Sequence, residues 1–134
     1  MVVVDSSFLV AYHNERDTHH GAAERAMERL IAGDWGPAVL LEYVFLEVVT
    51  VVLARRGHGS AVRVGTALLE AAEIQFLPCS ELFAETLNAF RAQPAGVLSF
   101  TDAAIVVVAE RRQAPVLTFD QDFRTVRGLQ ILPQ

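Results

Sequence analysis

The chain has 134 residues, 52% hydrophobic and 20% charged, long enough to bury a sizeable core without a disulfide or structural zinc. Its lone Cys79 excludes an intramolecular disulfide or a CxxC metal knuckle. Sixteen Asp and Glu oppose 11 basic residues for a net charge of -5, and with no lysine in the chain all 11 are arginines; this excludes P-loop, Schiff-base and lysine-completed phospho-aspartate chemistry and departs from the usual basic balance of nucleic-acid binders.

Met1 to Val4 is an apolar run without polar alternation, the pattern of a strand covered on both faces. Its lack of a basic region before the apolar run argues against an export signal, and a cytoplasmic location is expected. Ser6 or Ser7 caps a short helix through Tyr12. After a polar loop a second helix runs from about Thr18 to Ala32, with Ala22, Ala26, Met27 and Leu30 at helical spacing. Trp35 to Val39 reads as a brief strand or its entry turn. Leu40 to Arg56 follows as a strongly apolar helix stopped by Gly57 and Gly59; Glu42 and Glu47 interrupt it too often for a bilayer span. A helix from Ala61 to Ala72, a strand from Ile74 to Leu77 and a helix from Ser80, as its cap, to Arg91 come next. Ser99 opens a helix to Arg112, with Asp102 three residues on as in a capping box. Pro115 to Phe119 is a buried strand and Gln130 to Leu132 a last one.

No repeat, low-complexity tract or linker interrupts this alternation, so residues 1–134 read as a single domain. Strands alternating with helices predict a three-layer α/β/α fold around a mainly parallel sheet of four to five strands. In such a sheet ligands bind outside the carboxyl ends of the strands. Asp5 directly follows the first strand, and Glu42 and Asp102 fall in first turns of helices. Asp120 comes just after Leu117-Thr118, with Asp122 behind it. Each Asp alone is compatible with a cap or turn residue, whereas Glu42 lies among Leu40, Leu41, Val44, Phe45 and Leu46, where a buried carboxylate needs a partner. Glu47 is about 140° round the helix and roughly 7.5 Å deeper by helix geometry, so one of the two faces the pocket; the rim position favours Glu42. Four carboxylates converging on one rim require a cation between them, and hard divalent ions such as Mg²⁺ or Mn²⁺ suit oxygen ligands.

The opening Val-Val-Val-Asp5-Ser6-Ser7, the stretch from Pro37 to Glu42, the segment Ser99-Phe-Thr-Asp102-Ala-Ala and the segment Leu117-Thr-Phe-Asp120-Gln-Asp122-Phe together resemble a PIN domain. Their order and spacing are similar to those of the short VapC-like toxin ribonucleases of type II toxin–antitoxin modules. The resemblance spans Asp5 to Phe123. It implies that Asp5, Glu42, Asp102 and Asp120 hold one or two Mg²⁺ or Mn²⁺ ions and form the catalytic set, with Asp122 auxiliary and Ser6 and Thr118 as small polar residues close to the metal. It implies RNA phosphodiester hydrolysis, a homodimer, and a small antitoxin partner lying in a groove to which Leu9 and Tyr12 contribute.

Arg124 and Arg127, following the last acids, are candidates for phosphate contact, with a solvated loop as the alternative. Arg55-Arg56 and Arg111-Arg112 complement helix dipoles and are expected at the far end from the site. His13, His19, His20 and His58 read as solvated or capping histidines, Cys79 as inert and partly buried, and Phe76, Phe83, Phe90 and Phe100 as core. Two rival readings are a haloacid-dehalogenase-like phosphatase, which wants an Asp-x-Asp start and a lysine that this chain lacks, and a non-catalytic PIN-like binding module, which would not need all four acids.

Overall fold

The computed structural model describes residues 1–134. Val2–Val4 form β1, with every side chain at most 1% exposed; three β-branched residues in a row suit a strand covered on both faces. Ser6–Tyr12 (α1) and His20–Ile31 (α2) follow, then Ala38–Leu41 (β2), Glu42–Arg56 (α3), His58–Glu70 (α4) and Ile74–Leu77 (β3). Phe83–Ala92 (α5), Phe100–Arg112 (α6), Val116–Leu117 (β4), a 3₁₀ turn over Gln121–Thr125 and Ile131–Leu132 (β5) complete the chain.

All five strands are parallel, in the order β3-β2-β1-β4-β5. The sheet and its covering helices confirm the expected α/β/α class. Val3 pairs with Val39 on one side and Val116 on the other. The chain therefore builds outward from β1 through β2 to β3, then crosses back to lay β4 on the opposite side of β1. Right-handed crossovers put α1 to α4 on one face and α5 and α6 on the other, where α6 packs on β1. The reversal of winding between β1 and β4 opens a crevice at their carboxyl ends.

Several boundaries differ from the sequence expectation. Leu40 and Leu41 belong to β2, not to the following helix, since both are fully buried and pair with Phe76 and Leu77 of β3. Gly57, at φ +87°, separates α3 from α4 in a conformation that L side chains rarely adopt; Gly59 lies inside α4 and stops nothing. Ser80 caps no helix: α5 begins at Phe83, after a turn. Of the phenylalanines expected in the core, Phe76, Phe83 and Phe90 are 44%, 55% and 39% exposed, because β3 is an edge strand and α5 the outer helix of its layer. They join Tyr43, Phe45 and Phe100 in surface aromatic contacts. Leu9, expected in a groove, is buried in the core, and Cys79 is buried completely.

Candidate active site

The crevice between β1 and β4 is built around Asp5. Its backbone N–H donates to Leu117 O at 3.0 Å, tying the end of β1 to β4, and its side chain caps α1. Asp5 is 3% exposed, so its carboxylate must be satisfied from within the protein. The Ser7 and Thr118 hydroxyls each donate to Oδ2 at 2.7 Å. Those hydroxyls in turn accept the backbone N–H groups of Phe119 and Asp120, both at 2.9 Å. Each hydroxyl has one proton to give, and Asp5 takes both. Short polar side chains after β1 and β4 thus lock the carboxylate to the strand ends, while Oδ1 has only a long 3.5 Å contact from Ser6.

Asp120, positioned by Thr118, and Asp102, in the first turn of α6, line the same cavity of about 440 Å³ as Asp5. Asp102 forms the expected capping box: Ser99 Oγ accepts its N–H at 3.1 Å and its Oδ2 accepts the N–H of Ser99 at 3.0 Å. The box leaves Oδ1 without a protein partner. Burial pushes the Asp102 carboxyl up to about 6, the charges of Asp5 and Asp120 add to the rise, and the Ser99 hydrogen bonds oppose it. Capping and facing the crevice are therefore compatible roles for one carboxylate, each using a different oxygen.

The acid that joins them from α3 is Glu47, not Glu42. Ser6 donates to Glu47 Oε1 at 2.6 Å, drawing it to the end of β1. Glu42 does not line the cavity; its Oε1 accepts the backbone N–H of Cys79 at 2.9 Å, on the β3 side of the sheet. The expectation for Glu42 fails because β2 extends to Leu41. The helix begins at Glu42 itself, and its first turn faces the loop after β3, while the side of α3 packed on α1 approaches β1 more than a turn later.

Asp122 lies outside the cavity, exposed, with its N–H given to Asp120 Oδ1. Arg124 is exposed and bonded to Gln121, and Arg127 lines a separate cavity at the carboxyl end of α6 with Glu110 and Gln113. Neither arginine reaches the acids. Arg55, expected at the far end, does line the acid cavity: Glu47, Val51 and Arg55 recur every four residues along one face of α3. His19, expected in solvent, also lines it, its ring stacked on Phe119 at 4.6 Å and 5°. Asp17 completes that wall, its Oδ1 accepting the N–H of His19 at 2.8 Å. Polarity alone marks none of Ser7, Asp17 or His19, and Glu47 is singled out only once α3 is seen to pack on α1.

No three His, Cys, Asp or Glu side chains close into a metal cage. The donor set nevertheless fits a hard divalent ion: the carboxylates of Asp5, Glu47, Asp102 and Asp120 with serine hydroxyls beside them, and no thiolate. Mg²⁺ and Mn²⁺ suit such an open arrangement, since Mg²⁺ binds through one or two carboxylates and keeps several waters.

Residues 2–129 match the family model of the PIN domain. A search of curated proteins gives no match. Among solved structures, Mycobacterium tuberculosis VapC20, described as a sarcin–ricin loop cleaving toxin, is similar at TM-score 0.84 and 24% identity, covering 99% of this chain and 100% of that one. A toxin–antitoxin complex from Klebsiella pneumoniae (TM-score 0.69, 18% identity, 99% and 97% covered) and VapBC2 from Rickettsia felis, bound to a promoter DNA fragment (0.68, 13%, 98% and 97%), share the architecture. At these identities the likeness is one of fold.

Proposed function

Because this chain belongs to the PIN domain family, we propose that it is a metal-dependent endoribonuclease, the toxin of a type II toxin–antitoxin pair. The observation that carries the reading is the convergence of Asp5, Glu47, Asp102 and Asp120 on one crevice at the point where the sheet reverses its winding. The four acids would hold one or two Mg²⁺ or Mn²⁺ ions. When bound, the metal supplies the charge that lowers the pKa of a water and offsets the negative charge developing on the phosphodiester.

The chain's own residues set the geometry. Ser7 and Thr118 hold the Asp5 carboxylate and Ser6 holds one oxygen of Glu47, so both acids have less rotational freedom to lose when a cation enters. Asp102 keeps one oxygen in the capping box and turns the other to the crevice. The His19 ring, backed by Phe119, offers a flat face on which a base of the substrate strand stacks. Arg55 stands at the same cavity for the phosphate. RNA as substrate is supported by the family and by the fold shared with VapC20, a toxin described as cleaving the sarcin–ricin loop.

Further parts of the reading are a homodimer, a protein antitoxin and a cytoplasmic location. Exposed apolar side chains on α3 and α4 (Leu46, Leu53, Val62, Leu69) and on β3 and α5 (Phe76, Phe83, Leu87, Phe90) provide surfaces for the first two. No helix is long and apolar enough to cross a membrane. The expected result is internal cleavage of a structured RNA in Mn²⁺ or Mg²⁺, abolished by EDTA and restored by excess Mn²⁺. Cleavage that survives EDTA would overturn the reading.

Asp102 gives the cation a pH signature. Its carboxyl is pushed up to about 6 in the folded, metal-free chain, above the value of about 4 in an unfolded chain. Its contribution to stability is thus fully present below about pH 4 and lost as pH rises through 6. At neutral pH the metal-free fold carries a charge it disfavours, which a cation relieves. Mn²⁺ should therefore raise the melting temperature more at pH 7.5 than at pH 5, and Asp102→Asn should shrink that difference. An equal rise at both pH values would place the cation away from Asp102.

A further inference from the structure

Beyond the acid cavity the surface changes sign. Arg55 lines that cavity and also the adjoining one, formed with Asn14, Glu15, Arg16, Arg56 and Ser60. Arg56 and Ser60 are shared in turn with a third cavity that reaches His13 and Arg63. Through these shared residues the three cavities adjoin one another in a row from the acids along α3 and over α4. Four of the 11 arginines line this row, and none of the four forms a salt bridge. Their only side-chain hydrogen bonds are to neutral oxygens, from Arg56 to Asn14 at 3.1 Å and from Arg63 to Ser60 at 3.1 Å. Glu15 is the one acid among them beyond the acid cavity, and burial lowers the pKa of His13, so it adds no charge at neutral pH.

The helix dipole accounts for Arg55 and Arg56, in the last turn of α3. It does not account for Arg16, in the loop after α1, or Arg63, in the middle of α4. In a chain of net charge -5, four exposed guanidinium groups without an acidic partner make a local positive strip, to which an extended anion is complementary. Guanidinium forks match phosphate oxygens, and Glu47 and Arg55 are roughly 12 Å apart along the helix axis, so the strip continues past any single phosphate at the acids.

We propose that Arg55, Arg56, Arg63 and Arg16 form a track that binds the phosphate backbone of the RNA strand flanking the cleaved bond. The identity of that strand rests on the ribonuclease reading; the presence of a polyanion track does not. The test uses a short fluorescein-labelled single-stranded RNA, titrated by fluorescence anisotropy against chain carrying Asp5→Asn, over a series of potassium chloride concentrations. Arg56→Gln/Arg63→Gln should weaken binding about tenfold near physiological salt. It should also make the dependence of log K on log salt shallower by about 1.4, since each phosphate of a single strand that is no longer neutralised removes ~0.7 from the slope. Arg91→Gln/Arg112→Gln, which removes the same charge from the carboxyl ends of α5 and α6, should change neither. In chain with Asp5 intact, the track variant should raise KM for the RNA and leave kcat in place.

Binding and salt slope equal to those of the control pair would overturn the track while leaving cleavage by the wild type to stand. Absence of cleavage by the wild type, with the slope still reduced in the track variant, would overturn the ribonuclease reading and retain a nucleic-acid track. Loss of poly-glutamate binding in the track variant, with RNA binding unchanged, would assign the strip to an acidic protein segment and overturn the proposal.

Discussion

Asp5→Asn is expected to remove RNA cleavage by about 10³-fold or more, roughly 4 kcal/mol of transition-state stabilisation, without lowering the stability of the metal-free chain. Asn is the same shape. Its Oδ1 can still accept from the Ser7 and Thr118 hydroxyls that hold the Asp5 carboxylate, and Asn caps helices about as well as Asp. What the change removes is one negative charge from a cavity shared with Glu47, Asp102 and Asp120. Because like charges in a partly desolvated site repel, the melting temperature in EDTA should stay level or rise. The rise produced by Mn²⁺ should shrink with the loss of a charged ligand. A purely structural Asp5 predicts the reverse pattern, a lower melting temperature with cleavage proportionate to the folded fraction. Paired melting curves and initial rates on one preparation separate the two.

The part of this site legible in the sequence is the part governed by strand ends. A run of three valines followed by an acid points to both the strand and the place where its carboxylate emerges, since β-branched residues without polar alternation suit a strand covered on both faces and the next residue lies at its carboxyl end. Leu117-Thr118 before Asp120 works in the same way, and Ser99 with Asp102 is a local capping pattern that needs no tertiary information. These three aspartates do line one cavity. The arginines and the histidine are hidden for a different reason. Arg55 reads as remote when a helix after a strand is expected to run directly away from the rim, whereas α3 packs across α1 and carries its last turn past the loop holding Asn14. His19 has no periodic context of its own; the Asp17 side chain that accepts its N–H and the Phe119 ring beneath it place it there. Helix direction relative to the sheet is a packing outcome, and no local pattern encodes it. The exposure of Phe76, Phe83 and Phe90 has the same origin, because hydrophobicity shows that a residue prefers burial and not whether its element lies outermost.

The two glutamates of α3 give the sharpest test of that packing. Glu47→Gln keeps an oxygen for the Ser6 hydroxyl, which donates to Oε1 at 2.6 Å, but removes the charge. Cleavage should fall by about 10²-fold or more, equivalent to roughly 3 kcal/mol, with melting in EDTA little changed. Glu42→Gln also keeps its hydrogen bond, from the backbone N–H of Cys79 to the side-chain oxygen, and it removes a charge on the far side of β2 from the crevice. Its cleavage rate should stay within about threefold of the wild type, a difference under ~1 kcal/mol. Glu42→Ala then separates anchoring from chemistry. It strips the acceptor from the N–H of Cys79, a fully buried residue, and leaving such a donor unpaired costs about 1–3 kcal/mol. That variant should melt earlier yet cut RNA at nearly the wild-type rate once folded. The opposite result, a silent Glu47→Gln and an inactive Glu42→Gln, would mean that the first turn of α3 reaches the metal and that the bond between Ser6 and Glu47 serves only to pin α3 against α1.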